Sequence, residues 1–348
     1  MAIPSEKLIF IVGLWRSGTS LLHLMLNGHP QTAIMYEAEP FGLWPCRADS
    51  IWPDDWPQRL DFFNQAITRH RLDDVAFPKK ISGREGLLTL FRAFAGSCGK
   101  QVKIIGGKSP TYHKWLPQIA RIFPEANFII IWRDPLECCR SAREAGATNR
   151  FFAQPGMSTR ILFGAERLAR GVEHLRREGR RVHEIVYHEL VDTPEAELRR
   201  ICEFLEIQFD SGMLDLKAAD FTILPPGKHH ERARSGQLKR KIAYQELLSP
   251  AFVAKGWRYG AFWRERYAHL GFARALQPGF DALKPGKIGR LVDQSGYLIW
   301  RGIDSVKRQI FRRIPLSWWG GLRSKNFAFG FNSRSNPNEV LRKTTRQS

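Results

Sequence analysis

The sequence predicts an α/β fold: a three-layer domain with a central, mainly parallel sheet flanked by helices, and a basic C-terminal extension after it. Two stretches carry most of this expectation. Leu8 to Val12 is a short apolar run rich in β-branched residues, and it leads through a glycine-bounded turn into Leu21, Leu22, Met25 and Leu26 at helical spacing. Asn127 to Trp132, NFIIIW, is the most continuous apolar run in the chain, lies between helical stretches and reads as a central parallel strand buried on both faces.

The first helix stops at Asn27-Gly28 and Pro30. The turn before it joins a strand to a helix N-terminus, so several backbone N–H groups and the positive end of a helix dipole aim at one place. Anions collect at such a place. Against the nucleotide-binding pattern G-x-x-x-x-G-K-[ST], Gly13 and Gly18 have the spacing and Ser20 the type, but Thr19 stands where lysine belongs. The cation has moved to Arg16. Loss of the lysine argues against ATP or GTP as a phosphoryl donor. An anion with one phosphate and one further group suits Arg16, Ser17, Thr19, Ser20 and the amides around Gly18.

Thr32 to Pro40 reads as a second strand and loop bearing Glu37 and Glu39. Phe41, Trp44, Trp52 and Trp56 follow among prolines, which suits either the lining of an acceptor pocket or a satellite core. Leu87 to Phe94 reads as a helix, and Val102 to Gly106 as a strand ending at Gly107-Lys108-Ser109-Pro110. Lys108 is thereby expected at a strand's carboxyl end, where open α/β sheets place ligands. Trp115, Leu116, Ile119, Ile122 and Phe123 form an apolar helical face. Arg133-Asp134-Pro135 ends the NFIIIW strand, and Ser141 lies eight positions after Arg133 on the helix Leu136 to Ala145. Ser158 to Arg177 is an amphipathic helix. Val182 to Tyr187 reads as a strand, and Thr193 as the cap of a helix with Pro194 at its first position.

With 348 residues, 43% hydrophobic and 25% charged, the chain can bury a full core, and disorder is not the default. Its net charge of +20 is the deviation, and it implies anionic partners. Asp281 to Ser348 holds fourteen Lys/Arg against four Asp/Glu, half of that excess. There Ile303, Val306, Ile310 and Ile314 share a helical face bordered by Lys307, Arg308, Arg312 and Arg313. Such a helix suits peripheral contact with an anionic membrane, an acidic partner or packing on the core domain. The five cysteines, Cys46, Cys98, Cys138, Cys139 and Cys202, have no metal-finger spacing and fit a reduced interior. The opening MAIPSEK runs straight into the first strand and no run has the length of a spanning helix, so a cytoplasmic location is expected.

RSGTSLL, Arg16 to Leu22, resembles the 5′-phosphosulfate loop of sulfotransferases that use 3′-phosphoadenosine 5′-phosphosulfate (PAPS). The wider match, through His29-Pro30 to a downstream glutamate, is similar to tyrosylprotein sulfotransferases and their bacterial relatives. The resemblance implies a P-loop NTPase-like fold for a sulfotransferase domain of residues 1–275, with 276–348 as extension. It implies that Arg16, Ser17, Gly18, Thr19 and Ser20 hold the 5′ end of PAPS, that Arg133 and Ser141 grip its 3′-phosphate and that Tyr187 neighbours the adenine. His188 replaces the acid of the family's Y-E-D-L segment. Arg232, Arg234 or Lys239, in LPPGKHHERARSGQLKRK, correspond to a loop that closes over the 3′-phosphate in relatives. Lys255 to Phe272 resembles the family's closing helix, and His229 and His230 read as surface residues.

The reaction so implied moves a sulfuryl group to an acceptor hydroxyl or amine in line. Charge builds on the sulfuryl oxygens and the leaving phosphate, and Arg16 and Lys108 are the candidate cations. Cytosolic sulfotransferases take a base from Lys-Thr-His, but Lys108-Ser109-Pro110 has no histidine. The tyrosylprotein branch uses a glutamate, which corresponds to Glu37, with Glu39 as alternate. No metal is required, because protein cations can play its part, and the acceptor is left open among small molecules, lipids, glycans and peptides, with no nucleic acid expected. A P-loop kinase or hydrolase with a degenerate loop, and a non-catalytic anion- or membrane-binding protein, are the competing classes.

Overall fold

A computed structural model of the chain describes residues 6–44, 50–154 and 156–224, together with four single positions beyond them. Five strands are formed: β1 (Lys7–Gly13), β2 (Thr32–Tyr36), β3 (Ile104–Ser109), β4 (Asn127–Trp132) and β5 (Val182–Val186). They make one sheet in the order β2-β3-β1-β4-β5, and every pairing is parallel. The central strand β1 pairs with β3 on one side and β4 on the other, so the chain reverses its direction of travel across the sheet at β1. Open α/β sheets bind ligands outside the carboxyl ends of their strands at such a switch.

Alternation along the inner strands builds two cores, one per face. Phe10 and Val12 of β1 join Phe128, Ile130 and Trp132 of β4 in the larger core, whereas Ile9 and Ile11 join Ile129 and Ile131 in the other. The helices α4 (Gly83–Ser97), α5 (Leu116–Ile122), α6 (Pro135–Gly146) and α7 (Met157–Arg177) cover the first face. Helices α1 (Thr19–Asn27), α8 (Tyr187–Asp192) and α9 (Pro194–Leu205) cover the second. Two short helices, α2 (Trp56–Asn64) and α3 (Ala66–Arg69), fill the crossover between β2 and α4.

Three local expectations are corrected. Strand β3 starts at Ile104 and continues through Gly106-Gly107-Lys108 to Ser109, because ladders from both neighbours reach that far, Tyr36 pairing with Lys108 and Val12 with Ser109. Tyr187 opens α8 and does not end β5. Thr193 stands at the start of α9, but its hydroxyl donates to the Glu189 carbonyl at the end of α8 and does not cap α9. Of the two readings of the aromatic stretch, the structure takes packing: Trp44 stacks on Trp52 at 4.8 Å, Trp52 meets Trp56 at 5.1 Å, and all three are buried. Arg232, Arg234, Lys239, His229, His230, the segment from Lys255 to Phe272, the division after residue 275 and, Val306 apart, the basic helical face of the extension lie outside the described residues. Among the described residues, no helix is long and apolar enough to cross a membrane.

Gly106 sits inside the sheet between Ile9 and Ile34, and a Cβ there would lie 1.9 Å from the Ile9 carbonyl oxygen. Gly106→Ala is therefore expected to destabilise the fold by about 3 kcal/mol or more, read from the urea midpoint. Burial holds His23 and His113 down to about 3, aided by the charges of Lys108 and Lys114 respectively, and it holds His70 at about 3 beside Arg69. These folded values lie below the ordinary 6.5, so the stabilisation is complete above pH 6.5 and is lost as pH falls toward 3. Urea titrations at pH 7 and pH 5 should differ by on the order of 1–2 kcal/mol per histidine.

Candidate active site

All five strands end at the same edge of the sheet, and each delivers one of the singled-out residues there. From β1 comes the turn that leads into α1. Gly13 is required because a Cβ would approach Ser17 Oγ to 2.5 Å. The Ser17 hydroxyl, fully buried, donates to the Leu14 carbonyl at 2.9 Å, as does its N–H at 3.1 Å, so both of its donors close the turn. Gly18 adopts φ +103° at the start of α1, and a Cβ there would lie 2.4 Å from the Tyr187 ring. The first-turn amides of α1 have no partner within the helix and face the edge where the other strand ends meet.

From β4 comes Arg133, and the structure brings it to the loop. Its Nη1 donates to the Arg16 carbonyl at 2.9 Å, and its guanidinium lies 4.1 Å from the Tyr187 ring centroid. Arg16, in the left-handed conformation at φ +69°, donates from Nε to Ser141 Oγ at 3.1 Å and rests 5.3 Å from the Phe152 ring centroid. Two motifs more than a hundred positions apart thus share a hydrogen-bond chain. Removal from water, and then the Arg133 charge, push Arg16 down to about 10. Two guanidiniums held this close repel each other, and an anion between them relieves the repulsion.

Glu137, one turn along α6, accepts from Arg133 Nε at 3.1 Å, and its Oε2 lies 2.9 Å from His188 Nε2. Burial alone would raise the Glu137 carboxyl, but His188 and Arg133 hold it below the usual range. Asp134, next to Arg133 in sequence, accepts from Leu136 N at 2.7 Å and caps α6. His188 therefore braces the carboxylate that holds the arginine. Glu137 was legible as an i,i+4 neighbour of Arg133, whereas nothing in the sequence pointed from His188 to Glu137.

The ends of β2 and β3 supply the other half. Lys108, with a side chain only 1% exposed, donates to Ser20 Oγ and to Glu37 Oε1, each at 3.1 Å, and lies 3.9 Å from the Tyr36 ring centroid. Ser20 Oγ lies 3.1 Å from Tyr36 Oη. Burial lowers Lys108, and its contact with Glu37 opposes the fall. Glu37 follows β2 at φ +52°, its N–H donating to the Lys108 carbonyl at 2.7 Å and its own carbonyl accepting from Asn64 Nδ2 at 2.8 Å. These two backbone bonds hold a left-handed glutamate that would otherwise be strained. Burial alone would raise its carboxyl, but Lys108, Arg69 and a hydrogen bond from Tyr36 hold it below the usual range.

Glu39 differs. Its carboxylate accepts from the Ser109 hydroxyl in a buried pocket, and burial with the nearby Glu37 charge raises it. Two carboxyls two positions apart are thus pushed in opposite directions, and the one kept ionised is the one that contacts the site lysine. Tyr36, Asn64, Phe152 and Arg69 were not singled out by the sequence. Their roles come from long-range approach, for which no spacing rule exists.

The family model described as the Sulfotransferase family matches residues 9–211. A Caenorhabditis briggsae protein that carries the name protein-tyrosine sulfotransferase is 26% identical over 214 residues, 60% of this chain and 69% of its own. Among solved structures, the sulfotransferase domain of the Synechococcus PCC 7002 olefin synthase aligns over 76% of this chain and 96% of its own, at 17% identity and a TM-score of 0.49. Mouse sulfotransferase SULT7A1, solved with PAP, aligns over 77% of this chain and 90% of its own, at 15% identity and a TM-score of 0.41.

Glu37→Gln leaves the buried Lys108 ammonium without its counter-charge. The variant is expected to lose about 3 kcal/mol of stability in urea unfolding at pH 7.

Proposed function

The chain belongs to the sulfotransferase family, and from that premise we propose that it moves the sulfuryl group of PAPS to an acceptor hydroxyl, with Glu37 as general base. The observation that supports this reading is the convergence of the α1 loop, Arg133 and Ser141 on one hydrogen-bonded chain, with Lys108 and Glu37 joined to that loop through Ser20. A site with anion grips at two ends and a carboxylate beside one of them suits a doubly charged nucleotide and an acceptor approaching from the carboxylate side.

When bound, PAPS supplies an electrophilic sulfur and a 5′-phosphate leaving group. Arg16, Gly18, Thr19 and Ser20 would hold its 5′ end, with Ser17 shaping the turn. Arg133 and Ser141 would hold the 3′-phosphate, and Tyr187, against which Arg133 already lies, would flank the adenine. Lys108 takes up the negative charge that develops on the sulfuryl oxygens and the leaving phosphate. Glu37, ionised beside it, accepts the acceptor's proton as the hydroxyl attacks. A low-lying carboxylate is a modest base, so its contribution depends on position more than on proton affinity. Glu39, raised and hydrogen-bonded to Ser109, stays behind as the loop's buried support. The name of the C. briggsae relative puts a tyrosine hydroxyl first among the acceptors to try.

The test is to incubate the purified protein with sulfur-radiolabelled PAPS and, in parallel, tyrosine peptides and a metabolite extract. Label should pass to an acceptor in the wild type. Arg16→Ala should abolish transfer and weaken binding of 3′-phosphoadenosine 5′-phosphate in calorimetry. Glu37→Ala should lower transfer by roughly 10²- to 10⁴-fold while that product still binds. Full transfer by Glu37→Ala removes it as the base, and absence of transfer to every acceptor removes the proposed reaction.

A further inference from the structure

Arg69 has no part in the reaction as described so far. It ends α3, and its side chain is nine-tenths buried, with Nη1 4.0 Å from Glu37 Oε2 and the guanidinium 5.6 Å from the Tyr36 ring centroid. Nη1 is shielded from water and has no hydrogen-bond partner among the described residues. A guanidinium placed there is costly unless the charge it faces is kept.

Its position is fixed by the element that fixes Glu37. Asn64 donates from Nδ2 to the Glu37 carbonyl and accepts at Oδ1 from Ala66 N, the first residue of α3. Asp61 accepts from Ile67 N and Thr68 N at 2.9 and 2.8 Å and from the Thr68 hydroxyl at 2.7 Å, so the whole turn is pinned. Arg69 and Glu37 are thereby held on one frame. The groups that face Glu37 come from each neighbouring element. Lys108 of β3 is on Oε1, Arg69 of α3 is on the Oε2 side, Tyr36 of β2 donates to the carboxylate, and Glu39 follows in the same loop. Behind Tyr36 lie two neutral imidazoles, His70, which accepts from Tyr36 N, and His23, whose ring meets the Tyr36 ring at 5.3 Å.

The two cations on Glu37 are not equivalent. Lys108 is shared, since it also donates to Ser20 in the anion loop, whereas no hydrogen bond from Arg69 to that loop is found among the described residues. A lysine that turns to the sulfuryl oxygens loosens its hold on the carboxylate. At 4.0 Å, Arg69 contributes charge without itself occupying a lone pair of Oε2. Resting on the assignment of Glu37 as general base, we propose that Arg69 is a positioning residue that keeps Glu37 ionised and aimed at the acceptor while Lys108 serves the transferred group.

The experiment is an NMR titration of isotope-labelled glutamate carboxyls in the full chain, with the Glu37 signal assigned from its loss in Glu37→Gln. In Arg69→Gln the Glu37 titration should move upward, and in Arg69→Lys it should return toward the wild-type position, with circular dichroism and thermal unfolding confirming that both variants fold. A Glu37 titration unchanged in folded Arg69→Gln, or moved equally in Arg69→Lys, overturns the proposal. Should Arg69→Gln not fold, Arg69→Lys against Arg69→Met is read the same way, and equal titration in the two overturns it. The readout needs neither donor nor acceptor. Failure of sulfuryl transfer would remove the reaction while leaving this result standing, and failure here would leave the reaction intact.

Discussion

Parallel pairing of the five strands is the constraint on which the site depends. In a parallel sheet each strand must be followed by a crossover, so every strand leaves the sheet at the same edge, and here the five exits carry the Arg16 loop, Glu37, Lys108, Arg133 and Tyr187. The glycines of β3 make this possible, because Gly106 and Gly107 let β1, Phe91 and Tyr112 close around a strand that then presents a buried lysine. An antiparallel partner anywhere in the inner three strands would send one of these side chains to the opposite edge.

Charge is the second organising force. The edge gathers Arg16, Arg133, Lys108 and Arg69, and each carries a cost of burial or repulsion that something else must offset. On the Arg133 side the offset is Glu137, itself braced by His188. On the Lys108 side it is Glu37. Between them, Arg16 has a hydroxyl, Ser141, and a ring, Phe152, but a second guanidinium as its strongest charged neighbour. The unbalanced positive charge is thus concentrated at the loop whose amides already favour an anion, and the carboxylates stand at its two flanks.

Strain sits at the same places. Arg16 and Glu37 are both non-glycine residues in the left-handed region, and each is held there by long-range bonds, from Arg133 to the Arg16 carbonyl and from Asn64 to the Glu37 carbonyl. The conformation turns a side chain out of the path its strand or loop would give it. Ser17 shows the opposite economy: both of its donors fold inward on Leu14, so the loop's shape and its offered groups come from different residues.

Much of this was legible in the chain itself. The apolar runs of β1 and β4 have the length and composition of strands covered on both faces, the Gly13 to Ser20 spacing marks an anion turn, and Arg133 to Ser141 is a local spacing along a strand end and a helix. Such features depend on neighbours in sequence, so the sequence by itself determined the parallel α/β class, the glycine-bounded turn into the first helix and the resemblance to a sulfotransferase. What only the tertiary structure decided is which distant groups meet: that Arg133 bonds to the Arg16 backbone, that Lys108 lies between Ser20 and Glu37, that Glu39 turns inward to Ser109, and that Arg69 and Asn64 reach Glu37 from a crossover. Charge and strain at those contacts are properties of burial and approach, and neither exists until the strands are stacked side by side.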